Sequence, residues 1–153
     1  MQSQVEEEHM SEQNKPEILK MEVEALSKNE EFARVAVAVF LARLNPTLEE
    51  VDDVKTAVSE AVTNAVIHGY QGKGGMIYLE VEVMDQEFTI TIRDIGIGIP
   101  DIKQAMEPLY TTDPDGERTG MGFSFMEAFM DQVEVQSVPG EGTAVTMKKK
   151  ISG

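Results

Sequence analysis

From Glu60 to Tyr70 the chain reads Glu-Ala-Val-Thr-Asn-Ala-Val-Ile-His-Gly-Tyr, the pattern of a helix buried on one side and chemically loaded on the other. Glu60, Asn64 and His68 recur at four-residue steps, which stacks an acid, an amide and an imidazole along one helical flank. Val54, Val58, Ala61, Val62 and Ala65 supply an apolar stripe for the opposite flank. Upstream, Asn45-Pro46 breaks the preceding pattern, and Thr47 followed by Glu50 forms a capping-box signature. The spacing predicts a helix to about His68, ended by Gly69 and the glycines at 72, 74 and 75. Taken alone, such a segment also fits a surface helix with incidental polar residues. The rest of the chain decides between them.

Leu19, Met21, Val23 and Ala25 alternate with Lys20, Glu22 and Glu24, which describes a half-buried strand. Asn29 is placed to cap a helix through about Leu44, with Phe32, Val35, Ala36, Val39 and Phe40 on its apolar side. Glu30 and Arg34 stand one turn apart on it, as an exposed pair or as a surface facing a partner. After the long helix, Ile77, Leu79, Val81 and Val83 alternate with polar residues, and Phe88, Ile90 and Ile92 continue the alternation past a turn at Asp85-Gln86. Residues 101–107 read as a short helix capped by Asp101, and a proline-, threonine- and glycine-bearing stretch runs from Pro108 to Gly122. A helix from Gly122 or Phe123 to Gln132 and strands over 133–138 and 143–149 complete the chain, the strands joined around Pro139-Gly140-Glu141-Gly142. This order predicts an α+β fold, with helices covering one face of a mixed or largely antiparallel sheet.

The length of 153 residues fits one domain with a sizeable core. Residues 1–16, rich in glutamate and glutamine, read as a disordered leader that includes His9, and 17–153 as the folded domain. No apolar run approaches the roughly 20 residues that span a membrane, and the amino terminus lacks the basic and apolar segments of a signal peptide. The absence of cysteine excludes disulfides and thiolate metal sites and accords with a cytoplasmic location. A formal charge of -15, from 28 acidic and 13 basic residues, disfavours direct DNA binding and favours a basic protein partner. A polyphosphate bound by so acidic a chain must be neutralised locally, by metal, backbone amides and a few placed cations.

Two further segments carry chemistry. Asp94-Ile-Gly96-Ile-Gly98-Ile-Pro100 follows a strand directly, offering a carboxylate acceptor for a ligand amino group and two glycines that permit close approach. It is neither a dinucleotide fingerprint nor a GxxxxGK[ST] phosphate loop. Arg118-Thr-Gly120-Met-Gly122 precedes a helix, where glycines expose backbone amides for phosphate. Thr111, Thr112 and Arg118 are placed to add donors from a closing lid. Each of these segments alone also fits a structural turn or a helix entry.

In this order the three segments resemble the GHKL family of ATP-binding domains, which includes gyrase, Hsp90, histidine kinases and MutL. From about Leu19 to Ile151 the chain more closely resembles the sporulation anti-sigma factors of that family, which are serine kinases. Asn29-Glu-Glu-Phe-Ala-Arg34-Val35, the Glu60–Tyr70 segment and Gly120-Met-Gly-Phe123 carry the likeness. The resemblance implies a two-layer α/β sandwich that binds ATP or ADP with Mg2+, phosphorylates a serine on an anti-anti-sigma protein, inhibits a sigma factor and forms a homodimer. It implies that Asn64 coordinates Mg2+ and that Glu60 is the general base or orients the acceptor hydroxyl. It further implies that Asp94 binds the adenine amino group, that Gly96 and Gly98 shape that pocket, and that Gly120 and Gly122 belong to the lid. Arg118 is the best basic residue for the terminal phosphate, and Glu30 and Arg34 match the partner-binding region. His68 is read as a hydrogen-bonding support. Two alternatives stay open: the corresponding kinase of the general-stress system, and a nucleotide-responsive sigma-binding module with little kinase activity. Ile95 departs from the acidic residue common there in the family.

Overall fold

The computed structural model describes residues 15–107 and 122–153. Its strands are β1 (Glu17–Glu24), β2 (Met76–Met84), β3 (Glu87–Asp94), β4 (Gln132–Val138) and β5 (Gly142–Lys150), in the order β1-β2-β3-β5-β4. Every neighbouring pair is antiparallel. Because side chains alternate across a strand, the register stacks one apolar row from each strand on the same face. Met21, Leu79, Ile92 and Val145 are register partners across β1, β2, β3 and β5, as are Leu19, Val81, Ile90 and Met147. Asp85 and Gln86 turn β2 into β3 with φ of 51° and 66°. Two consecutive left-handed residues give the turn whose twist matches that of the flanking strands.

The helices lie on that apolar face. Helix α1 (Lys28–Leu41), continued by a 3-10 turn (Ala42–Leu44), packs on α2 (Leu48–Asn64). Helix α3 (Ile102–Met106) and helix α4 (Phe123–Phe129) complete the layer, and α4 contacts α2. The arrangement is the α+β two-layer sandwich expected. Thr47 caps α2 in a reciprocal box: its hydroxyl accepts the Glu50 amide at 3.1 Å, and its own amide reaches the Glu50 carboxylate at 2.9 Å. Asp101 caps α3 by accepting the Gln104 amide at 3.0 Å. Among the described residues no helix is long and apolar enough to cross a membrane.

Three local readings change. Asn29 is not the cap of α1; Ser27 occupies that position, and the Asn29 amide instead donates to the Glu24 carbonyl at 2.8 Å. The buried side of α1 is Ala33, Val37 and Leu41, whereas Phe32, Val35 and Val39 face solvent. Both sets have helical spacing, so period alone does not choose between them. Finally, the long helix does not run as α-helix to His68. It passes at Ala65–Gly69 into one turn of π-helix, closed by the Tyr70 amide donating five residues back to the Ala65 carbonyl at 2.9 Å.

Candidate functional site

The site lies where the end of α2 meets the end of β3. Helix α2 buries Val54, Ala57, Val58, Ala61 and Val62 in the core. That fixes its rotation and turns Asn64, only 8 % exposed, toward a cavity. The same cavity is lined by His68, Gly69, Asp94, Gly98, Phe123 and Thr143. Asp94, the last residue of β3, is 7 % exposed although it carries an ionisable carboxyl. Its Oδ1 accepts the Gly96 amide at 2.9 Å. Burial pushes its pKa above the ordinary aspartate range, while amide hydrogen bonds from Gly96 and Thr143 act against that rise.

Glycine is a geometric requirement at two positions here. A β-carbon on Gly96 would fall 2.1 Å from the Gly69 carbonyl oxygen, and one on Gly98 would fall 2.5 Å from that of Val138. Gly98 also has a φ of +76°, which side-chain-bearing residues rarely adopt. The turn is fastened on that second side too: the Gly140 amide donates to the Ile97 carbonyl at 2.7 Å, and the Ile99 amide to the Ser137 hydroxyl at 2.7 Å. Asp94 is thus presented by a turn clamped between the end of α2 and the β4–β5 hairpin.

Glu60 sits one helical turn before Asn64, half-buried, with Gly122 against it. The structure therefore brings Glu60, Asn64, Asp94, Gly96, Gly98 and Gly122 to one end of α2. Arg118, Thr111, Thr112 and Gly120 lie outside the described residues. Glu30 and Arg34 form a partly exposed ion pair at 3.7 Å on α1, and the Ser59 hydroxyl, next to Glu60 on α2, hydrogen-bonds the same Glu30 oxygen.

Residues that the sequence did not single out for the site are Thr143 on β5, Phe123 at the start of α4, and Gly69 and Tyr70 at the π-turn. Gly69 reads in sequence as a helix stop, yet a β-carbon there would lie 2.7 Å from the Asp94 carboxyl carbon. The adjoining Gly-Tyr was the available signal.

Chemically, a buried acceptor that is partly desolvated suits a neutral donor such as an amino group. Asn64 provides an amide oxygen or nitrogen in the lining of the same cavity. Among the described residues no three His, Cys, Asp or Glu side chains are grouped as a metal site. A divalent cation held here by Asn64 would therefore draw its remaining ligands from a bound phosphate and water, a donor set that suits Mg2+.

Comparison with known proteins gives the family and the fold. The family model for the histidine kinase-like ATPase domain matches residues 23–149. The anti-sigma F factor of Clostridium acetobutylicum is 58% identical over 87% of this chain and 94% of its own length. That of Clostridium botulinum is 60% identical over 87% of this chain and 95% of its own. That of Bacillus licheniformis is 53% identical over 84% and 88%, respectively. The catalytic domain of histidine kinase ThkA superposes with a TM-score of 0.54 at 15% identity, covering 88% of this chain and 96% of its own. The chain belongs to the histidine kinase-like ATPase domain family, within its anti-sigma F factor group.

Proposed function

We propose that this chain is a sporulation anti-sigma factor that binds a sigma factor and, using ATP and Mg2+, phosphorylates a serine on an anti-anti-sigma antagonist. The observation that supports it most directly is the shared cavity of Asn64 and Asp94, with Glu60 one turn away on the same helix. Asp94 accepts the adenine amino group, and Gly96 and Gly98 let the base approach the turn. Asn64 would hold Mg2+ through its side-chain oxygen, and the ion, when bound, would supply charge neutralisation to the transferred phosphoryl group. Glu60 orients the incoming serine hydroxyl or takes its proton, and Arg118, Thr111, Thr112, Gly120 and Gly122 supply contacts to the phosphates. Alignment and charge neutralisation carry most of the work in such a transfer.

Glu30 and Arg34 form the contact for protein partners. The homodimer is supported by the outward apolar stripe of α1, where Phe32 is 58% and Val39 70% exposed. The deciding experiment incubates the purified protein with labelled ATP, Mg2+ and the sporulation or the general-stress antagonist, and measures sigma binding in parallel. Transfer to the sporulation antagonist with selective binding of its sigma factor is expected. Transfer to the general-stress antagonist alone moves the assignment to that system, and sigma binding without any transfer reduces the protein to a nucleotide-responsive binding module.

A further inference from the structure

We propose that Tyr70 is a positioning residue for base recognition: its hydroxyl holds the turn that presents the Asp94 carboxylate. The inference rests on the reading of Asp94 as the adenine acceptor and adds a residue to it. The amides of Ile95, Gly96 and Ile97 are consecutive, and each is claimed by a different acceptor. Ile95 donates to the Tyr70 hydroxyl at 2.8 Å, Gly96 to Asp94 Oδ1 at 2.9 Å, and Ile97 to the Gly69 carbonyl at 3.0 Å. Two of the three acceptors come from the π-turn that ends α2. The base-binding turn and the helix that carries Asn64 are therefore tied together through residues 69 and 70.

Tyr70 is suited to this because a phenol both donates and accepts. Its hydrogen goes to the Met76 carbonyl at the start of β2, which leaves a lone pair for the Ile95 amide. Its ring is seated where Gly75 has no side chain, since a β-carbon there would fall 2.5 Å from Cε1 of the ring. The extra residue of the π-turn delivers Tyr70 to this place, because its amide bonds back to Ala65 rather than to Val66. The Ile95 side chain, 55% exposed, takes no part; its amide does. That accounts for an apolar residue being tolerated beside the acceptor aspartate.

Tyr70→Phe keeps the ring and removes the hydroxyl, leaving the Ile95 amide and the Met76 carbonyl to find other partners. The full chain, its Tyr70→Phe variant and Asp94→Asn as the reference for a lost acceptor are titrated calorimetrically with ADP and with IDP. IDP carries a carbonyl where ADP carries the amino group. Wild type is expected to prefer ADP, and Tyr70→Phe to lose about tenfold of that preference, the scale of one amino-to-carboxylate hydrogen bond misaligned at Asp94. A residue that merely supports the fold would weaken both nucleotides alike. An unchanged ADP/IDP ratio in Tyr70→Phe overturns the inference while leaving the role of Asp94 intact. A wild type without preference for ADP overturns the adenine reading of Asp94, and this inference with it.

Discussion

Gly122 lies so close to Glu60 that a β-carbon built on it would fall 2.4 Å from the Glu60 carboxylate oxygen Oε2. The residue that opens α4 thus touches the proposed base on α2, and it has a φ of +70°. Gly122→Ala should cost about 1–2 kcal/mol from the left-handed backbone alone. It should also displace the Glu60 carboxylate. The expected outcome is a fall of more than tenfold in phosphoryl transfer with ADP affinity within a few-fold of wild type. A matched kinase assay and calorimetric titration check this, and full transfer would remove Glu60 from the catalytic role.

Asp94 should make opposite contributions to stability and to binding. Its folded pKa is raised by burial, so the native state favours the protonated form. The stability associated with it is present at low pH and is lost as pH rises through the raised value. Binding an amino group requires the ionised carboxylate. ADP affinity should therefore decline as pH falls through the raised pKa of Asp94. Asp94→Asn should abolish the ADP preference, and its midpoint relative to wild type should be higher at pH 7 than at pH 4. Thermal unfolding at both pH values, with parallel titrations, tests the two signs separately.

Glu50 carries the reverse sign. Its carboxylate accepts the Thr47 amide at 2.9 Å and also ties down the carboxyl-terminal tail through the Ser152 amide and hydroxyl, each at 2.9 Å. Hydrogen bonding by the Thr47 amide leads the causes that hold its pKa below the usual value. The stability it supplies is present above the unfolded carboxylate pKa and is lost as pH falls through the folded one. Thr47→Ala should cost about 1 kcal/mol, and Glu50→Gln should flatten the acid limb of the stability profile. Neither change should alter ADP affinity, because both sit at the far end of α2. Denaturant unfolding between pH 3 and 7 provides the measurement.

What could be read in advance follows from where burial and sequence period coincide. In β2 and β3 the period-2 pattern of Ile77, Leu79, Val81, Phe88, Ile90 and Ile92 matches the buried face residue for residue. In α2 the stripe through Val54, Val58, Ala61 and Val62 likewise fixes the side on which Asn64 emerges. The π-turn was not legible. Its cause is tertiary: Gly69 and Tyr70 are held by amides at 95 and 97, remote in sequence. Thr143 was hidden for a similar reason, since its proximity to Asp94 arises from the β3–β5 register.

Helix α1 shows the limit of period alone, and it yields the last prediction. Residues Phe32, Val35 and Val39 recur at helical spacing and would by themselves define an inward face. The competing set Ala33, Val37 and Leu41 is buried instead, on the helix that packs on α2. The larger set is left on the outside at a cost in exposed apolar area, which is relieved if a second copy covers it. Phe32→Glu and Val39→Glu should each weaken self-association by about tenfold or more and leave the monomer fold unchanged, since neither side chain enters the core. Arg34→Ala should weaken antagonist binding with ADP affinity retained. Sedimentation across a concentration series reads the first effect and partner titration the second. A wild type that sediments as a monomer at high concentration would reassign the stripe to the protein partner.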